Sequence, residues 1–142
     1  MKLVRHLLEV KGTEVISIDQ ETSVFDAIKL MADRSIGSLL VLDEARLLGI
    51  VTERDYARKV ILKGRSAKTT EVREIMTTDV FSATTGQTVN DCMTLMTERR
   101  IRHLPVVEDG NVIGVISIGD LVNAIISDQQ EEIEQLEQYI SG

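Results

Sequence analysis

The 142-residue chain has one cysteine, one proline, fewer bases than acids and no long apolar run. Each shortage excludes something. A single thiol, Cys92, cannot close an internal disulfide and fits a reducing compartment. Runs such as SLLVL fall far short of the roughly 18 apolar residues of a membrane span. The opening MKLVRHLLEVKG has too short an apolar stretch for a secretory signal, so a cytoplasmic protein without membrane contact is expected. Sixteen Lys and Arg against 23 Asp and Glu give a net charge of −7, which argues against binding a nucleic-acid backbone. An acidic chain can still hold a small phosphate ligand where bases cluster locally. No G-x-G-x-x-G, P-loop, H-E-x-x-H or nucleophile–base pairing is present, so no enzyme is expected. What is present is 43% hydrophobic and 27% charged residues, enough for a folded core.

The chain repeats itself. A shift of 65 residues carries Val15 onto Val80 and holds without a gap for about forty positions. Identical pairs include Ser17/Ser82, Asp26/Asp91, Met31/Met96, Val41/Val106, Gly49/Gly114 and Asp55/Asp120. About a dozen identities is several times the roughly two or three that ordinary composition gives by chance. The Val-Arg pair before each copy, Val4-Arg5 and Val72-Arg73, is 68 residues apart, which puts three extra residues around Lys11 to Glu14.

Each copy reads β-α-β-β-α. EVISI and VFSA are short β-rich runs, followed by helical faces at Val24, Ala27, Ile28, Met31 and at Val89, Cys92, Met93, Met96. LLVL and LPVV come next, then a turn, then LGIV and VIGVI, then a second helix. EDGN is a strong hairpin turn and DEAR a weaker one. Pro105 is expected where a strand begins. The middle strands are apolar at successive positions, so both sheet faces should be covered. Helices cover one face, and the other copy's sheet is the simplest cover for the second. The expected fold class is therefore α/β (α+β): two repeats packed sheet to sheet with pseudo-two-fold symmetry, residues 1–66 and 67–127, and a helical extension over 128–142.

Two short stretches, GIVTERD and GVISIGD, carry the candidate chemistry. Thr52/Asp55 and Ser117/Asp120 have the spacing of a helix capping box, as do Ser23/Asp26 and Thr88/Asp91. The first two pairs directly follow a strand. A strand-to-helix junction is where α/β sheets bind ligands, with free N–H groups and the helix dipole favouring phosphate or ribose oxygens. An ionised Asp can accept from both ribose hydroxyls, so cap and ligand site can coexist.

Together with VREIMT, IRHLPVVEDGNVIGVISIGDLV and the tandem order, these stretches resemble a pair of cystathionine-β-synthase (CBS) domains, a Bateman module, over roughly Val4 to Ile126. The resemblance implies an adenine nucleotide ligand, AMP, ADP, ATP or an NAD-type molecule, in the inter-repeat clefts, with no cofactor required. It assigns Thr52, Asp55, Ser117 and Asp120 to ribose, and Ile50 and Val115 to the neighbourhood of the base. It also implies phosphates meeting basic residues, for which Arg102, His103 and Arg54 are the candidates. The cluster ERRIRHLP aligns with a first-copy segment whose only base is Arg34, and Gly119 stands where the first copy has Arg54. The Thr52/Asp55 cleft is thus expected to be the better anion binder, with Arg102 and His103 able to serve either. Arg99 and Arg100 read as a solvated helix end. His103 has only His6 and Cys92 for company, so no metal site is expected, and Cys92 on the apolar helix face reads as core. The remaining alternative is a ligand-free dimeric scaffold in which the hydroxyl–aspartate pairs are only caps.

After Leu121 the helical pattern runs on through IISDQQEEIEQLEQYISG. Ile126, Ile133 and Ile140 are seven apart, with Leu136 and Tyr139 on the same side and acids elsewhere. Such a stripe meets another surface. The resemblance implies a homodimer and a regulated protein partner; this helix is expected to add to the dimer contact, the competing reading being that it folds back on its own module.

Overall fold

A computed structural model describes residues 2–141. The order is α1 (Val4–Lys11), β1 (Ser17–Ile18), α2 (Val24–Arg34), β2 (Ser38–Asp43), β3 (Arg46–Thr52), α3 (Glu53–Tyr56), α4 (Val89–Arg99), β4 (His103–Glu108), β5 (Asn111–Ser117) and α5 (Ile118–Ser141). A π-helical turn, Ala57–Ile61, extends α3, and a 3-10 turn, Val72–Glu74, precedes the second copy. The fold is mixed α/β with a C-terminal helix, as the sequence implies.

The chain divides into two compact units. One, the first-copy unit, holds Val15–Phe81 and Asp109–Val112; the other, the second-copy unit, holds the chain up to Glu14, Ser82–Glu108 and the chain from Ile113 onward. The segment that precedes each copy in sequence therefore folds with the other copy. Val4, Leu7 and Leu8 of α1 pack with Val89, Cys92, Met96, Leu104, Ile116 and Leu121. Val72 and Ile75 pack with Val24, Ala27, Met31, Leu39, Val41 and Val51. The backbone makes the two exchanges alike: Val4 N–H donates to Gln87 O and Arg5 N–H to Thr85 O, while Val72 N–H donates to Thr22 O and Arg73 N–H to Gln20 O.

The glycines of the two quoted stretches admit these segments. A Cβ at Gly49 would lie 2.7 Å from Thr77 O and 2.9 Å from Met76 Sδ, and one at Gly114 would lie 2.6 Å from Leu8 Cδ2. A side chain at Gly49 would press on the backbone of the inserted segment, and one at Gly114 would displace the Leu8 side chain.

Within the first-copy unit, β1 pairs in parallel with β2, and β2 in antiparallel register with β3, Leu40 opposite Ile50. The β-rich runs EVISI and VFSA are shorter as strands than the sequence suggests. The first pairs only at Ser17 and Ile18, and the second only through the Ala83↔Val106 bridge. The second is the poorer because Pro105 lies inside β4 rather than at its start. Pro105 O accepts from Ala83 N–H, but the ring has no N–H to return to the preceding carbonyl, so the ladder stops after one step.

The β4–β5 hairpin turns through Asp109 (φ 52°) and Gly110 (φ 82°), both left-handed, as a type I′ turn requires. At the first hairpin Glu44 has φ 56°, and the β2–β3 register slips between Val41 and Leu42. The DEAR turn, weaker in sequence, is the less regular in structure.

Candidate functional site

Thr52 ends β3 and caps α3. Its Oγ1 accepts from Asp55 N–H at 3.1 Å, and Asp55 Oδ2 accepts from Thr52 N–H at 3.0 Å and from Thr52 Oγ1 at 3.1 Å. Ser117 and Asp120 repeat the arrangement at the end of β5, with Ser117 N–H donating to Asp120 Oδ2 at 2.8 Å and Asp120 N–H to Ser117 Oγ at 3.1 Å. Both aspartates thus do the work of helix caps, satisfying N–H groups a first turn leaves without partners. Ser23 and Thr88 also cap their helices, accepting from Asp26 N–H and Asp91 N–H.

The two strand-end aspartates differ from ordinary caps in a second feature: each is also held by a lysine. Lys59 Nζ sits 3.0 Å from Asp55 Oδ1 and donates to Ile75 O at 2.8 Å. Lys11 Nζ donates to Asp120 Oδ2 at 2.6 Å and to Val115 O at 2.7 Å. Neither lysine belongs to the sequence-predicted set. Lys59 is four residues after Asp55 on one helical path, a spacing at which opposite charges meet. Lys11 falls among the three extra residues where the register between copies breaks, and that break was the one signal for it.

The lysines also complete the backbone. Ile50 exchanges both hydrogen bonds with Thr77, at 2.9 and 2.8 Å. At the equivalent Val115, the carbonyl is met by the Lys11 ammonium instead. Ile50 and Val115, the expected neighbours of a base, are both half-buried.

Electrostatics separate the sites further. Burial pushes the Asp120 carboxyl up, but hydrogen bonds from Lys11 and Ser117, with the Lys11 charge, outweigh it and hold the group below the ordinary carboxylate value. His103, the first residue of β4, is held below the ordinary imidazole value, first by burial and then by the Lys11 charge; Arg102 adds to the depression and Asp120 opposes it. Lys11, Asp120, His103 and Arg102 therefore form one electrostatic group in the second-copy unit, where Arg102 O also accepts from Ile118 N–H. In the first-copy unit the matching acceptor is Gly37 O, bonded by Glu53 N–H, and the Glu53 carboxylate lies close to where a Gly37 side chain would project. Arg54 is exposed on α3 next to Asp55, and Gly119 at the matching place is exposed too, with Ser117 Oγ 3.6 Å from where a Cβ would stand.

Cys92 is buried in the core, where burial and then the Asp91 charge push its thiol up to about 11. No group of three or more His, Cys, Asp or Glu among the described residues could hold a metal ion. No helix among them is long and apolar enough to cross a membrane.

Paired hydroxyl–aspartate corners at the ends of two hairpins, each backed by a segment from before the other copy, define a duplicated α/β module. The CBS domain family matches this chain twice, over residues 8–62 and 72–127, and the chain belongs to that family. It is 43% identical over 127 residues to the mitochondrial CBS domain-containing protein CBSX3 of Arabidopsis thaliana, covering 86% of this chain and 62% of that protein. The chain thus spans less than two thirds of that relative. A putative signal-transduction protein with CBS domains from Burkholderia ambifaria is 50% identical, with a TM-score of 0.82, covering 90% of this chain and 96% of that one. The CBS domain pair of protein MJ0100, solved in complex with 5′-methylthioadenosine and S-adenosyl-L-methionine, is 25% identical with a TM-score of 0.76, covering 90% and 98%. These relatives are named as CBS-domain or signal-transduction proteins rather than as enzymes.

Proposed function

We propose that the chain is a sensor for an adenine nucleotide, AMP, ADP, ATP or an NAD-type ligand, which signals to a protein partner by changing shape and transforms nothing. The observation that carries this is the repeated strand-end aspartate with its own lysine, at Asp55/Lys59 and Asp120/Lys11. A carboxylate offers about four lone-pair positions, and the cap occupies only part of them. Ribose hydroxyls take the rest, and a lysine displaced from its aspartate is left beside the ligand's phosphates. The two adenosine derivatives in the MJ0100 complex, neither of which carries a phosphate, support the adenosine part of this reading.

Thr52 and Ser117 add a hydroxyl at each ribose, Ile50 and Val115 flank the base, and Arg54, Arg102 and His103 meet phosphate. The two sites are unequal. Arg54 and Lys59 serve the Thr52/Asp55 site, whereas Lys11, Arg102 and His103 gather at Ser117/Asp120, so we assign the stronger phosphate affinity there. A ligand can shift the shape of the chain only by its differential affinity for two states. The module works as a cytoplasmic homodimer to which α5 contributes.

The competing reading is a ligand-free scaffold, favoured by the fact that both carboxylates already accept backbone N–H groups. A thermal scan with AMP, ATP, NAD and S-adenosylmethionine separates the two. A ligand binding only the folded state at 100 times its Kd adds roughly 2.7 kcal/mol and raises Tm. Asp55→Ala and Asp120→Ala should each remove part of that shift. Variants that lose stability while the ligand shift is unchanged, or a chain that no ligand stabilises, would establish the capping role alone.

A further inference from the structure

Among the described residues, none covers the last part of α5. Leu121 and Ala124 are the only buried residues of α5, and every described residue from Gln129 onward is exposed. Yet this stretch has an apolar stripe: Ile133 is 54% exposed, Leu136 61%, Tyr139 86% and Ile140 83%. Around the stripe stand Glu131, Glu132, Glu134 and Glu137, and α5 contains no Lys or Arg. Three features work against such a helix in isolation. A solvated stretch this short has little helical stability without tertiary packing. Its acids repel one another at i,i+3 spacing. They also crowd the C-terminal end, where the helix dipole favours cations. An occupant that is both apolar and cationic removes all three.

A surface of that kind exists on the same chain. Residues 57–68, ARKVILKGRSAK, hold five bases and no acid in a protein of net charge −7. Ile61 and Leu62 are 55% and 77% exposed among them. Lys68 lies over the ring of Phe25, itself exposed, at 5.1 Å from the centroid. Lys59 and Arg65 are engaged by Asp55 and Glu74, whereas Arg58 and Lys63 make no ion pair among the described residues. We propose that the α5 tail docks on this basic, apolar surface of a second copy of the chain. In a two-fold pair of copies the contact of one tail with its partner's surface is matched by the same contact in the other direction. The proposal does not depend on the nucleotide reading, and it goes beyond the homodimer by naming what the tail meets.

The test is sedimentation equilibrium on the full chain with two exposed charge reversals, Glu134→Lys with Glu137→Lys on the tail and Arg58→Glu with Lys63→Glu on the surface. The parent chain should self-associate, more weakly as salt rises. Each reversal alone should weaken association at least about tenfold, since it sets like charges face to face. All four changes in one chain should restore it, as should mixing the two variants, where each tail finds an opposite surface. Circular dichroism checks that every variant is folded. A parent that stays monomeric at all concentrations overturns the proposal. So does association indifferent to both reversals, or a tail effect that the surface reversal neither reproduces nor rescues.

Discussion

The two units hold the same backbone pattern with different side chains. In both, a segment from outside the copy hydrogen-bonds through matching partners, Gln87 and Thr85 in one and Thr22 and Gln20 in the other. In both, a strand-end aspartate caps the next helix and meets a lysine. The lysine comes from a different place each time: Lys59 from the turn that follows Asp55, Lys11 from the helix that opens the chain. Duplication has kept what the main chain requires and let the charged support be found again wherever a side chain could reach. The first-copy aspartate is consequently tied to its own helix, and the second-copy aspartate to α1.

The largest test of that parallel lies at the glycines. Gly49→Ala would press a methyl against the Thr77 carbonyl, a backbone atom with little room to move, and should cost about 2–3 kcal/mol. Gly114→Ala meets only the tip of Leu8, which can turn aside, and should cost about 1 kcal/mol. Urea denaturation of the two variants gives both numbers, and equal losses would mean that the inserted segments are held alike. Next come the aspartates: Asp55→Ala and Asp120→Ala should each lose about 1 kcal/mol as caps, Asp55 the more because it is the more buried.

Acid should then distinguish the units. His103 binds its proton more weakly folded than free, so its contribution is complete above its ordinary value of 6.5 and is lost as pH falls through the lower folded value. Asp120 follows the same sign from 3.8 downward. Two stages of acid destabilisation should therefore appear in the second-copy unit, read by amide exchange in β4 and β5. Ser38 replaces His103 in the first copy and cannot titrate, so His103→Gln should delete the upper stage, and Lys11→Met should weaken the lower. The smallest effect is expected from exchanging Arg54→Gly and Gly119→Arg. Stability should move by no more than about 0.5 kcal/mol, and the relative phosphate affinity of the two sites, by calorimetry, should shift toward Ser117/Asp120.

Much of this was legible in the residues. The shift of 65 aligned the helix faces that are buried, Val24, Ala27, Met31 and Val89, Cys92, Met96, because a 3.6-residue period is set locally. The left-handed EDGN turn was legible for the same reason. The repeat could not show that Val4 and Val72 pack with the opposite copies. Hydrophobic pattern says that a residue is buried and is silent on which core receives it. Pro105 was misplaced by two residues, since a missing N–H is tolerated wherever the facing strand can end. Lys11 and Lys59 escaped because pairing copy with copy finds only what both share, and these two lysines occupy unrelated positions.

The exchange of leading segments bears on synthesis. Residues 15–81 form nearly all of one unit and can pack soon after they leave the ribosome, whereas α1, made before them, packs with residues made after them. Val4, Leu7 and Leu8 must stay exposed until Met96, Leu104, Ile116 and Leu121 have been made, so an apolar helix waits through the synthesis and packing of the whole first-copy core, and the nascent chain carries a sticky segment through that interval.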